Sequence, residues 1–208
     1  MKRLIPVIVI LLLGTSLVYA DDYEDGAVAA RKGDFTTAAK KFELAAEQGH
    51  AQAQFTLGLL YGVGKGVQKS KNKSVKWYRK AAENGHAIAQ YSLGMIYFEG
   101  YRELRNDEKS YKWLRKSAEQ GYGDAQLQLG LLYWLGQGVD QNYKDAAKWY
   151  LLAAQQSNKD AQFLLASMYM EGQGVLQDDK EAMKWLRRAA KQGHAEAQKM
   201  LDLMRNRK

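Results

Sequence analysis

The chain of 208 residues contains no cysteine and a single proline. Without cysteine there can be no disulfides, thiolate zinc sites, thiol nucleophiles or lipid attached through an N-terminal cysteine. One proline over this length speaks against a turn-rich β architecture, because proline interrupts helices and here almost nothing interrupts them. What is plentiful is apolar and charged surface, 46% and 26% of residues. That excludes disorder and supplies a buried core. Lys and Arg number 31 against 23 Asp and Glu, a formal charge of +8.

The first twenty residues stand apart. Lys2 and Arg3 precede an apolar run from Leu4 to Leu13, which Gly14, Thr15 and Ser16 then loosen. Val18, Tyr19 and Ala20 follow, before Asp21 and Asp22. A basic head, a short apolar core and a small residue at the exit make a cleavable secretory signal, cut near Ala20. The uninterrupted run is shorter than the roughly 18–20 residues of a membrane span. Loss of Lys2 and Arg3 lowers the formal charge from +8 to +6. The expected product is an exported protein of the periplasm or the medium.

Beyond Asp21 the chain repeats itself. Ala51 to Gly58 recurs as Ala87 to Gly94, Gly123 to Gly130 and Lys159 to Ala166, each start 36 residues after the last. Trp77, Trp113, Trp149 and Trp185 keep that spacing, as do Tyr61, Tyr97, Tyr133 and Tyr169. Four units therefore occupy 51–86, 87–122, 123–158 and 159–194. A partial repeat over 21–50 precedes them, with 35–50 matching the second half of a unit. A capping half repeat with a basic tail, 195–208, follows. A fixed period of this length means an all-α solenoid of helix-turn-helix units, about five in number with partial ends.

Within a unit, Ala53, Leu57, Leu60 and Tyr61 share one face of a first helix. Gly58, Gly94 and Gly130 lie mid-helix, where glycine costs about 1 kcal/mol, so a neighbour too close for a side chain is expected. A glycine-rich loop leads to a second helix whose tryptophan should fill a core site. That helix stops at Gly85, Gly121 or Gly193, with Ser157 in the third full unit.

The pattern A-x-A-Q-[FY]-x-L-G-x-x-Y, then G-x-G-V, then K-W-[YL]-x-K-A-A-x-x-G resembles the Sel-1-like repeat family, relatives of the tetratricopeptide repeats. The likeness covers residues 23 to 205, and the segment Gly100 to Leu104 departs from G-x-G-V. It implies a right-handed α-α solenoid that binds other proteins, with no particular reaction and no cofactor. Family members serve as adaptors and as immunity proteins against secreted toxins such as phospholipase effectors. A cysteine-rich branch is linked to β-lactam binding or hydrolysis, on a disulfide scaffold that this chain lacks. The tetratricopeptide register puts Phe55, Tyr91, Met95, Phe98, Leu131, Trp134, Phe163 and Met170 on the concave side, where relatives bind a partner protein. Trp134 is the tryptophan off the 36-residue ladder.

Other features have plainer readings. Gly62, Gly64, Lys65 and Gly66 fit no phosphate-loop spacing, and their recurrence marks them as turn residues. His50, His86 and His194 share one phase after the cap glycine, too dispersed to hold one metal. No His-Glu-x-x-His or Gly-x-Ser-x-Gly string suggests catalysis. Lys76, Arg79, Lys80, Lys112, Arg115, Lys116, Lys148, Lys184, Arg187 and Arg188 form a basic ridge on the second helices. Such a ridge meets an acidic partner or a membrane surface, or is simply solvated. Nucleic acid is not an expected partner of an exported chain without a recognition module.

Overall fold

The structure, a computed structural model, describes residues 22–100 and 105–206. The signal segment over 1–20 and the divergent loop residues Tyr101 to Leu104 lie outside the described residues. The described residues form eleven helices and no strand. These are α1 (22–31), α2 (Phe35–Glu47), α3 (Ala51–Val63), α4 (Lys71–Glu83), α5 (Ala87–Glu99), α6 (Asp107–Glu119), α7 (Gly123–Leu135), α8 (Tyr143–Gln155), α9 (Lys159–Glu171), α10 (Asp179–Lys191) and α11 (Ala195–Asn206). A first compact unit runs to Leu93, and a second begins at Gly94 within α5. In the first, α2, α3 and α4 pack in succession, and in the second so do α6 to α11. None of the described helices is long and apolar enough to cross a membrane.

Local chemistry sets the helix ends. Ser70, Asn106, Asn142 and Asp178 cap the second helices, their side-chain oxygens accepting from the N–H of Lys73, Lys109, Asp145 and Glu181. Such caps are worth about 1 kcal/mol each. The backbone N–H of each cap residue also donates to the carbonyl of Tyr61, Tyr97, Tyr133 or Tyr169, tying it to the preceding first helix. Ser157 takes φ +67° where the other repeats place glycine. A side chain in that region costs roughly 1–2 kcal/mol.

The mid-helix glycines are explained by contact. A Cβ on Gly58 would lie 2.8 Å from the Tyr78 ring, and one on Gly130 2.6 Å from the Tyr150 ring. Gly66, Gly138 and Gly174 meet a different obstacle, since a Cβ there would collide with the backbone of Phe35, Asp107 or Tyr143. The second glycine of each loop thus lets the loop lie on the start of an earlier second helix. Periodicity and packing, not phosphate binding, account for these glycines.

Two expectations need correction. The N-terminal stretch is a full helix pair rather than half a unit. Gly26 on α1 faces Phe42 on α2 as Gly58 faces Tyr78, with a shorter connecting loop. The tryptophan ladder is also not uniformly core. Trp77 and Trp185 are buried, whereas Trp113 and Trp149 are half-buried. The next residue along the helix, Leu114 or Tyr150, fills the central site against the glycine.

A ladder of buried glutamines joins consecutive repeats. Gln54, Gln126 and Gln162 donate through Nε2 to the carbonyls of Ala46, Ala118 and Ala154, at 2.9, 3.2 and 3.0 Å. Their Oε1 atoms accept from the amides of Asn84, Gln156 and Gln192, at 2.9, 2.8 and 2.9 Å. Each glutamine therefore satisfies a carbonyl at the end of one second helix and anchors the end of the next. A burial this complete demands such pairing, because an unmet buried amide costs about 1–3 kcal/mol.

Candidate functional site

The histidines stiffen the joints between repeats. Nδ1 of His50, His86 and His194 accepts the N–H of Ala53, Ala89 and Ala197, capping α3, α5 and α11. Each imidazole stacks on an aromatic ring of the preceding first helix: Tyr23 at 4.6 Å, Phe55 at 4.5 Å and Phe163 at 4.6 Å. Burial holds the His86 pKa below its ordinary value of 6.5, and its Nε2 pairs with Gln52 Oε1 at 2.9 Å. An acceptor at Nδ1 requires the neutral ring.

The rings expected to receive a partner thus divide. Phe55 and Phe163 present one face to a cap histidine and are half-buried. Tyr91, Met95 and Phe98 are half-buried on α5, and Met170 packs against the core formed by α8, α9 and α10. Trp134, at the end of α7, is 39% exposed, and Leu135 beside it is 46% exposed. In the first unit, Leu59 and Val63 are likewise exposed at the corresponding end of α3.

Leu131 and Trp134 come together with Leu164, Met168, Glu171 and Gln173 around a cavity of about 140 Å³. Trp134 Nε1 donates to Gln173 Oε1 at 3.4 Å, and Gln141 Nε2 donates to the Trp134 carbonyl at 2.8 Å. The indole is therefore held at its edge by one polar contact and lies against the Tyr143 ring, 6.5 Å between centroids, with the rest of it partly exposed. Trp134 was legible in the sequence as the tryptophan out of register. Gln173 was not, since its glycine-flanked position signalled only a turn.

The basic ridge is largely engaged within its own helices. Lys80, Lys116, Lys148 and Arg188 lie 4.5, 4.6, 5.8 and 4.7 Å from the ring centroids of Trp77, Trp113, Trp149 and Trp185. Lys112 pairs with Glu108 at 2.5 Å and Arg115 with Glu119 at 2.7 Å. The bond to Lys112 holds the Glu108 carboxyl below its ordinary range. Ser70 and Lys73 do stand in a Ser-x-x-Lys spacing, against a sequence reading that finds none, and here it forms a helix cap. Ser70 Oγ accepts the Lys73 backbone N–H, while the Lys73 ammonium lies 4.9 Å from the Tyr61 ring.

The sequence profile described as Sel1 repeat matches residues 19–50, 51–86, 87–122, 123–158 and 159–194. The chain belongs to the Sel1 repeat family. Among solved structures, this Sel1 repeat chain is similar to c5321, a protective antigen of uropathogenic Escherichia coli displaying an SLR fold. Identity is 36% over 88% of this chain and 40% of that one, with a TM-score of 0.81, so the chain spans less than half of that relative. It is also similar to a Sel1 repeat protein from Oxalobacter formigenes, at 34% identity over 88% of this chain and 76% of that one, TM-score 0.79. Cysteine rich protein B of Helicobacter pylori is 26% identical over 64% of this chain and 96% of that one, with a TM-score of 0.51. No curated protein matches the chain. Sel1 repeat proteins are protein-interaction scaffolds, and the fold is the α-α solenoid of that family.

Proposed function

We propose that this chain is a non-enzymatic adaptor of the bacterial periplasm that holds a partner protein on its first-helix face, centred on Trp134. The observation that carries the reading is the partly exposed indole of Trp134 beside a largely apolar cavity. Large aromatics left accessible beside a cavity are the usual anchors of protein interfaces. The second-helix tryptophans, by contrast, each have one of the chain's own lysines or arginines over the ring. Export is supported by the basic head, apolar run and Ala20 exit of residues 1–20.

Capture from periplasmic extract, followed by binding measurements on the retained protein, tests the reading. Trp134→Ala should weaken binding by about 2 kcal/mol or more, whereas Arg115→Glu with Lys116→Glu should change it little. The reverse ranking would move the contact to the second-helix face. A captured toxin whose activity is blocked at nanomolar concentration would replace the adaptor role with an immunity role. Intact-mass measurement should show the native protein beginning at Asp21, and a full-length species retained in the membrane would sink the export reading.

A further inference from the structure

The cavity beside Trp134 combines three properties. Its walls at Leu131, Leu164 and Met168 are apolar, one side is an exposed indole, and its rim carries Glu171. Glu171 is exposed and makes no hydrogen bond or ion pair among the described residues. No cation lies over Trp134 among the described residues, although each of the other four tryptophans has a Lys or Arg within 6 Å of its ring. α8, which lines the cavity through Tyr150, carries Lys144 and Lys148, and Lys148 lies over Trp149 instead. α7 contains no Lys or Arg, and α9 contains only Lys159, at the opposite end from Glu171 and roughly 18 Å away along the axis.

We infer that this cavity receives a single lysine or arginine side chain inserted by the bound partner. The inference rests on the proposed scaffold role. An aliphatic stem of three or four carbons suits the leucine and methionine walls, and a volume of about 140 Å³ takes one side chain of that kind. The cation then meets the indole face, where the ring quadrupole attracts it, and the Glu171 carboxylate at the rim. Gln173 fixes the indole edge through the bond to Nε1, so the face is presented before the partner arrives. A purely apolar anchor fits less well, because closing the cavity over it would desolvate Glu171 without a counter-charge. An acidic side chain would be repelled by the same group.

The indole N–H signals of the five tryptophans provide the readout, with the Trp134 signal assigned by its loss in Trp134→Phe. Titration of the full-length mature chain with N-acetyl-arginine methylamide or N-acetyl-lysine methylamide should displace that signal saturably in the millimolar range. The uncharged N-acetyl-norleucine methylamide should not displace it. Glu171→Gln should weaken the effect of the charged probes at least tenfold while leaving the melting temperature unchanged. An equal response to norleucine, no saturable response to either cation, or indifference to Glu171→Gln would each overturn the inference. Loss of captured-partner binding in Trp134→Ala together with a failed probe titration leaves the scaffold reading standing and removes only the basic side chain. Full partner binding by Trp134→Ala removes the scaffold face itself.

Discussion

Within the second unit the two helix classes differ in how completely they satisfy themselves. α10 carries five Lys or Arg against two acidic residues, yet Arg188 and Lys184 flank Trp185 and Lys184 also pairs with Glu181. α7 carries one charge, Asp124, and leaves Trp134 39% exposed. A highly charged helix can thus engage its cations over its own aromatic, while a nearly neutral one keeps a partly exposed aromatic with no cation over it. Net charge alone is a poor guide to where a solenoid meets its partner. The residual, unmatched groups are the better one.

The largest expected effects break the contrast between buried and open aromatics. Tyr150→Ala should destabilise by about 3–5 kcal/mol in urea unfolding, because the ring is almost wholly buried against Gly130. Trp149→Ala should cost clearly less, since that ring is half-buried. Trp134→Ala should cost least of the three, since that ring is 39% exposed. Equal losses in all three variants would erase the distinction between the faces.

Gln126→Leu comes next, at about 2 kcal/mol, because it removes two buried hydrogen bonds, one to the Ala118 carbonyl and one from the Gln156 amide. Hydrogen exchange should rise at the ends of α6 and α8, and unchanged protection there would refute the ladder. Ser157→Gly should stabilise by about 1 kcal/mol by relieving the positive φ. An unchanged melting temperature would mean that the turn stores no such strain.

The smallest effect concerns pH. His86 has a folded pKa below 6.5 because burial disfavours its charged form. Its contribution to stability is therefore complete above that ordinary value and declines as pH falls from 6.5 through the lower folded value. Protonation would also remove the Nδ1 acceptor that caps α5. His86→Asn, which imitates the non-titrating cap Asn158 of α9, should flatten the acid limb of the stability profile measured between pH 7 and pH 5. An unaltered limb would show that this joint does not titrate.

Repeat number, helix pairing and family were readable from the amino-acid order, because they depend on spacing, and Trp, Tyr and Gln recur in phase regardless of what they touch. The same order determined that a small residue must sit mid-helix at Gly58, Gly94 and Gly130. It did not reveal which neighbour required it. That assignment depended on rotation of the second helix, which turns Tyr150 rather than Trp149 toward Gly130. Likewise Trp134, Phe98 and Met170 share one phase, yet only the tertiary packing leaves Trp134 open while Met170 joins a core. Position within a repeat fixes the direction of a side chain from its own helix, whereas burial is set by what the adjoining helices and loops bring against it. Gln173 is the clearest case: a loop residue with no signal of its own becomes the group that holds the indole.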